Sequence, residues 1–173
     1  MKFLVEISDK EVGIGSSERF DKPYQLRKAA RAVLFDDEGK LAFQKVSKFN
    51  YHKLPGGGID DDETIKNALQ REILEEVGCK SDIGEEVGVI IEYRNELDIL
   101  QISYCYLAKV VGEVGEPTYE QEEIDEGHEP LWTSLDEAIE LLRSDSTEDY
   151  EGKFIVIRDL AFLEEAKRML NSQ

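Results

Sequence analysis

Glu72, Glu75 and Glu76 follow Arg71 within residues 63 to 77, where apolar residues recur with the period of a helix. At about 100° per residue, Ile65, Leu69, Ile73 and Val77 gather on one side, and the three carboxylates border or enter that side. An acidic run on a helix is ordinarily a solvated face. Carboxylates at i, i+3 and i+4, however, repel by roughly a few tenths of a kcal/mol per pair in water, and by more when shielded. Something positive therefore belongs among them. Arg71 can neutralise one acid, either Glu75 or Glu63 at the helix start. The remaining oxygens make a hard, multidentate cluster suited to Mg²⁺ or Mn²⁺.

Gly56, Gly57 and Gly58 follow Pro55 just ahead of this helix. Bare backbone there lets a phosphate-bearing ligand approach a metal without obstruction by a Cβ. Rival motifs fail. No Gly-Lys-Ser/Thr follows for a P-loop, and the third glycine of a dinucleotide fingerprint is missing. An EF-hand loop begun at Asp60 would meet Ile65 and Arg71 where it needs Gly and Glu. Gly57, Glu63, Arg71, Glu72, Ile73, Glu75, Glu76 and Gly78 do fill every fixed position of the pattern G-x5-E-x7-R-E-U-x-E-E-x-G-U, with U a bulky aliphatic residue. Over these 23 residues, Gly57 to Cys79, the segment resembles the Nudix box, and Cys79 in the last apolar place is the sole departure.

The resemblance implies an α/β fold, the Nudix-type αβα sandwich about a mixed β-sheet. It also implies hydrolysis of a diphosphate linked to another group X, commonly in a nucleoside diphosphate derivative, by attack of water on phosphorus. In that scheme Glu72, Glu75 and Glu76 hold Mg²⁺ or Mn²⁺, Glu63 and Arg71 form a supporting ion pair, and Gly56, Gly57 and Gly58 face the substrate. A further carboxylate often completes the site. Glu120, Glu122, Glu123, Glu126 and Glu129 are candidates, and Glu126 is favoured because family members with a late acid place it several residues before a Trp, here Trp132. The family's ADP-ribose pyrophosphatases share a proline some sixteen residues beyond the box, and no proline lies between Cys79 and Pro117. Two alternatives stay open: a nucleotide-sensing module without turnover, and an isoprenoid diphosphate isomerase, which would need a catalytic Cys.

The elements that must position these residues are legible in outline. Met1 to Ile7 alternates as a strand, and residues 8 to 24 have loop composition. Residues 29 to 35 and 40 to 46 flank a turn cluster ending at Gly39 and read as a hairpin; residues 87 to 94 and 98 to 111 read as a second. Besides the helix at 63 to 77, one opens at Ser134 through capping-box spacing and runs to Leu142, and one runs from about Phe154 to Leu170. The acidic stretch Glu113 to Glu129 reads as a loop. A single domain is expected over residues 1 to 173, with 1 to 24 as a strand and loop extension. Tyr51, Tyr93, Tyr104 and Tyr119 could stack on a base or serve as ordinary strand aromatics, and His52 and Lys53 could touch phosphate or be solvated.

Composition narrows the partners. With 21 basic and 39 acidic side chains the net charge is −18, which repels nucleic acid at long range. Cys79 and Cys105 lack metal or disulfide spacing and read as core thiols. The apolar runs are far shorter than the roughly 20 residues of a membrane span, and the N-terminus lacks a secretory h-region. The expectation is a cytoplasmic protein with a small-molecule substrate, no nucleic acid and no membrane, with a homodimer left open.

Overall fold

The computed structural model describes residues 1–15 and 23–172. Strands β1 (Phe3–Ser8), β2 (Gln25–Phe35), β3 (Leu41–Val46), β4 (Tyr51–Lys53), β5 (Lys80–Arg94), β6 (Ile99–Val111) and β7 (His128–Thr133) form one sheet. The helices are α1 (Ile65–Val77), α2 (Gln121–Glu126), α3 (Leu135–Ser144) and α4 (Tyr150–Leu170). Along the sheet the order is β1-β5-β6-β2-β3-β4, with β7 paired to β3. β1 runs parallel to β5 and β2 parallel to β6, while the other pairs are antiparallel, so the sheet is mixed as expected.

Strand alternation explains the layers. Ala30, Ala32 and Leu34 of β2 pack with Leu69, Ile73 and Val77 of α1 on one face of the sheet. Val33 points the other way and joins Ile90, Cys105, Phe154 and Phe162 under α3 and α4. Two apolar faces covered by helices make the αβα sandwich. Cys79 and Cys105 are buried and free, one in each core.

Several boundaries differ from the sequence reading. In the first hairpin β2 and β3 pair only at Phe35 and Leu41. Beyond that point the glycine segment takes the edge of β2: Ala30 N–H donates to Gly57 O and Ala32 N–H to Pro55 O, each at 3.0 Å. The sheet splits there, and the split holds the glycine loop. The acidic loop expected over Glu113 to Glu129 instead contains α2 and the start of β7. Its helix is capped by Glu120 and Glu123, which exchange side-chain and backbone bonds, and ends at Gly127 with φ of 70°. The first helix starts at Ile65, two residues late, because Thr64 accepts from Asn67 N–H as its N-cap. The last starts at Tyr150, earlier than expected, because Asp149 caps it through Gly152 N–H at 2.7 Å. β1 is hydrogen-bonded into the sheet beside β5, and residues 16–22 of the expected loop lie outside the described residues.

Candidate active site

Helix α1, the glycine loop and the α2–β7 corner enclose a cleft of about 340 Å³. Gly56, Gly57, Gly58, Arg71, Glu72, Glu75, Glu76 and Glu126 all line it, as do Glu120, Glu122 and Glu123 of the late acids, while Glu63 and Glu129 do not. Glu63 lies behind Arg71, whose guanidinium grips both of its carboxylate oxygens at 2.9 and 3.0 Å. The same guanidinium donates to Glu72 at 2.7 Å, to Glu75 at 3.2 Å and to Gly58 O at 3.2 Å. Arg71 thus splints the loop to three acids at once. Its partners raise the Arg71 pKa and hold the Glu63 carboxyl below the ordinary carboxylate range.

Glu76 is only 2% exposed. One of its oxygens lies 2.8 Å from Lys53 Nζ, and the other accepts the Gly56 N–H at 2.5 Å. Lys53, left between phosphate contact and solvation by the sequence, is therefore a carboxylate partner. The glycines also have a structural use that the sequence reading assigned to the ligand. A Cβ on Gly57 would stand 2.4 Å from a Glu72 oxygen, and one on Gly56, where φ is 130°, would meet Ala30 O at 2.2 Å. Bare backbone at these two positions lets the protein close on itself. Gly58 has open space, with the nearest neighbour 3.8 Å from such a Cβ.

The α2–β7 corner supplies groups that spacing within the box could not reveal. Glu126 meets His128 Nε2 at 3.1 Å, and His128 Nδ1 lies 3.6 Å from Glu123 with no hydrogen-bond partner. Glu76, Glu123 and His128 bring one ligand atom each within 4.8 Å of one another. Burial raises the Glu72 carboxyl and Glu76 adds to it; burial, with further repulsion from Glu76, also raises Glu123. Burial and then Lys53 lower the His128 imidazole. The cleft is short of positive charge at its acidic end, and its donors are mostly hard oxygens, which fits a divalent cation.

Residues 25–154 match the NUDIX domain family. The chain is 33% identical over 130 residues to Nudix hydrolase 13, mitochondrial, of Arabidopsis thaliana, covering 70% of this chain and 64% of that protein. It therefore spans somewhat under two thirds of that relative's length. It is 36% identical over 152 residues to the CMP-5'-(N-acetyl-N-hydroxy-3-aminopropyl)phosphonate hydrolase of Streptomyces rubellomurinus, covering 84% of this chain and 70% of that one. Among solved structures a NUDIX hydrolase from Nitrosomonas europaea superposes with a TM-score of 0.61 at 19% identity, over 85% of this chain and 90% of that chain. The domain match runs through β2, the box, the acidic corner and the start of α4, the elements whose side chains meet in the cleft, and the chain belongs to the Nudix family.

Proposed function

We propose that this chain is a divalent-cation-dependent pyrophosphohydrolase, cleaving the diphosphate linkage of a nucleoside diphosphate derivative by attack of water on phosphorus. The observation that carries this reading is the gathering of Glu72, Glu75 and Glu76 against the glycine loop, in a cleft whose acids outnumber the bases facing them. Glu72, Glu75 and Glu76 would hold Mg²⁺ or Mn²⁺, with Glu123 and His128 in reach of the same region. When bound, the cation stabilises charge on the bridging and leaving oxygens and favours ionisation of water.

The chain's own groups do the rest. Arg71 orients Glu72 and Glu75 from behind, and Lys53 and Gly56 fix both oxygens of Glu76. Glu126, held by His128, is placed to take a proton from the attacking water as the new P–O bond forms. The bond from phosphorus to the bridging oxygen breaks, and the leaving phosphate carries the electron pair.

The isomerase alternative has little support from the thiols. Cys79 and Cys105 are buried in separate cores; burial pushes the Cys79 thiol up to about 11 and the Cys105 thiol upward as well. Neither lines the cleft. No helix among the described residues is long and apolar enough to cross a membrane.

A panel of nucleoside diphosphate derivatives and nucleoside triphosphates, assayed with Mg²⁺ for released phosphate, pyrophosphate or nucleoside monophosphate, tests the proposal. Turnover should stop on addition of EDTA and return with excess Mg²⁺. Tight binding of a nucleotide without turnover would make the chain a sensor, and proton exchange into an isoprenoid diphosphate would make it an isomerase.

A further inference from the structure

The cleft has a second chemical character that the hydrolysis scheme leaves unused. Arg27 and Arg31 of β2, Arg94 of β5 and Arg158 of α4 all line it. By strand alternation Arg27 and Arg31 share the face of Val33, so they continue the α4-side core toward the cleft, where that core turns from apolar to ionic. Arg158 is 0% exposed and Arg31 is 7% exposed.

Their hydrogen bonds are incomplete. Arg158 Nε donates to Asp159 at 2.7 Å, yet both of its Nη atoms lack a hydrogen-bond partner, with Glu92 as far as 3.7 Å from Nη1. Arg31 donates through Nη1 to Ala30 O at 2.9 Å, and its Nε has no partner. Arg94 reaches Glu92 and Glu151, each at 2.8 Å, and its Nε is unpartnered. Arg27 donates to Gln101 Oε1. Among the described residues neither Arg27 nor Arg31 has a carboxylate in ion-pair range.

Four guanidinium groups thus face two fully buried carboxylates, Glu92 and Asp159, plus Glu151, whose side chain is 50% exposed. The two buried acids are already engaged. Glu92 accepts from Arg94, Gln101 and Ser103, and Asp159 from Leu54 N–H and Arg158. Burial and then Arg158 lower the Arg31 guanidinium to about 10, whereas at Arg158 burial is outweighed by Asp159 and Glu92, which raise it, so the unmatched charge lies on the β2 side of the group. Arg27 is exposed, but Arg31 is buried without a carboxylate, and Arg94 and Arg158, though ion-paired, keep buried N–H groups without partners; both conditions are unfavourable for folding alone. Water can satisfy the donors, but only an anion also offsets the charge.

We propose that these four arginines form a second anion subsite, and that the substrate carries a phosphoryl group in addition to the scissile diphosphate. A phosphate monoester suits the site because its negative charge offsets the surplus cation and its terminal oxygens accept the planar guanidinium fork. The subsite adjoins the glycine loop, since Arg27 Nη2 is the nearest atom to the open side of Gly58. One molecule can therefore occupy both ends of the cleft. The extra phosphate can reside on X or on the nucleoside ribose.

The proposal deepens the hydrolase reading, and its first test is independent of turnover. Calorimetric titration of the protein in EDTA with inorganic phosphate should show binding that weakens at least 10-fold in Arg31→Gln and in Arg27→Gln. Arg31→Gln removes a buried charge without a carboxylate partner and should melt at or above the wild-type temperature, whereas Arg27 is exposed and Arg27→Gln should melt near it. Phosphate should raise the wild-type melting temperature more than theirs. Absence of phosphate binding, or equal affinity in wild type and both variants, overturns the subsite even if the enzyme is active. Should Arg31→Gln not fold, Arg27→Gln decides.

The second test compares ADP-ribose with its analogues phosphorylated on the terminal ribose and on the adenosine 2′-oxygen. One phosphorylated form should exceed ADP-ribose in kcat/KM by at least 10-fold, and the Arg31 substitution should shrink that ratio at least 10-fold. Which form wins locates the phosphate on X or on the nucleoside. A ratio near unity in wild type, or one that survives the substitution, overturns the proposal. Absence of all turnover with phosphate binding retained sinks the hydrolase reading and leaves the anion site standing.

Discussion

Glu75 and Glu76 are adjacent on α1 and share a charge, yet they stand in different surroundings. Glu76 is buried between Lys53 and the Gly56 amide, while the Glu75 side chain is 44% exposed and leans on Arg71. Replacement of either by Gln should lower kcat by about 10²-fold or more, because electrostatic and metal contributions are worth several kcal/mol. Stability should separate them. Glu76→Gln leaves Lys53 without its charge partner and should cost about 3 kcal/mol, on the order of 5–10 °C in Tm. Glu75→Gln should leave Tm nearly unchanged. Steady-state kinetics beside thermal melts check both, and near wild-type kcat in both variants would remove these acids from the site. Arg71→Ala should lower Tm and reduce kcat about 10-fold to 100-fold, the usual range for a group that orients ligands. A large rise in KM with kcat and Tm unchanged would instead put Arg71 on the substrate.

At the scale of elements, the α2–β7 corner decides which acid takes the proton. Glu126 is held by His128, and Glu123 caps its own helix through Glu120 N–H at 2.9 Å. If Glu126 is the base, Glu126→Gln should cut kcat about 10²-fold to 10⁴-fold and abolish the acid limb of its pH profile at saturating Mg²⁺. Glu123→Gln should leave that limb in place. The reverse outcome assigns the role to Glu123, whose raised carboxyl would set the limb above the ordinary carboxylate range. This corner was the least legible part of the sequence. Its helix has six residues, a Glu rather than a Ser, Thr, Asp or Asn at the cap, and no buried residue to mark an apolar stripe. The box was legible because its acids lie on one helix, where spacing alone fixes a shared face. The arginine wall was not, since β2, β5 and α4 bring its members together from distant parts of the chain. One signal was present: Arg158 falls four residues after Phe154, within the apolar stripe of the last helix, where a charge demands a partner. The expected hairpin failed beyond Phe35 because the glycine loop competes for the edge of β2, a contact no local pattern encodes.

Across the whole molecule the same ionic ladder ties β5, β6 and α4 together, so its protonation bears on global stability. Glu92 is fully buried and accepts from Arg94, Gln101 and Ser103. Burial alone would raise its carboxyl, but Arg158 and Arg94 outweigh that and hold it below the ordinary range. A carboxyl depressed in the folded state binds its proton more tightly when unfolded. The stability it contributes is therefore fully present above the unfolded value, about pH 4.3, and is lost as pH falls through the folded value beneath it. Glu72 and Glu123 have the opposite sign. Their raised carboxyls cost stability as pH climbs from the ordinary range through their folded values. Tm should thus rise as pH climbs from the folded value of Glu92 to about 4.3, the span in which the unfolded chain holds a proton that the folded one has released, then sag toward neutrality, and Mg²⁺ should relieve the sag by binding the folded acids. Glu92→Gln isolates the first effect. At pH 7 it leaves Arg94 and Arg158 short of a buried anion and should cost about 3–5 kcal/mol. Below the folded value of Glu92 the wild type has lost the same charge, so the gap between the two melting curves should narrow toward zero. Thermal melts of both proteins from pH 3 to 8 read that gap directly, and a gap constant across the range would mean that Glu92 acts through its hydrogen bonds and packing rather than its charge.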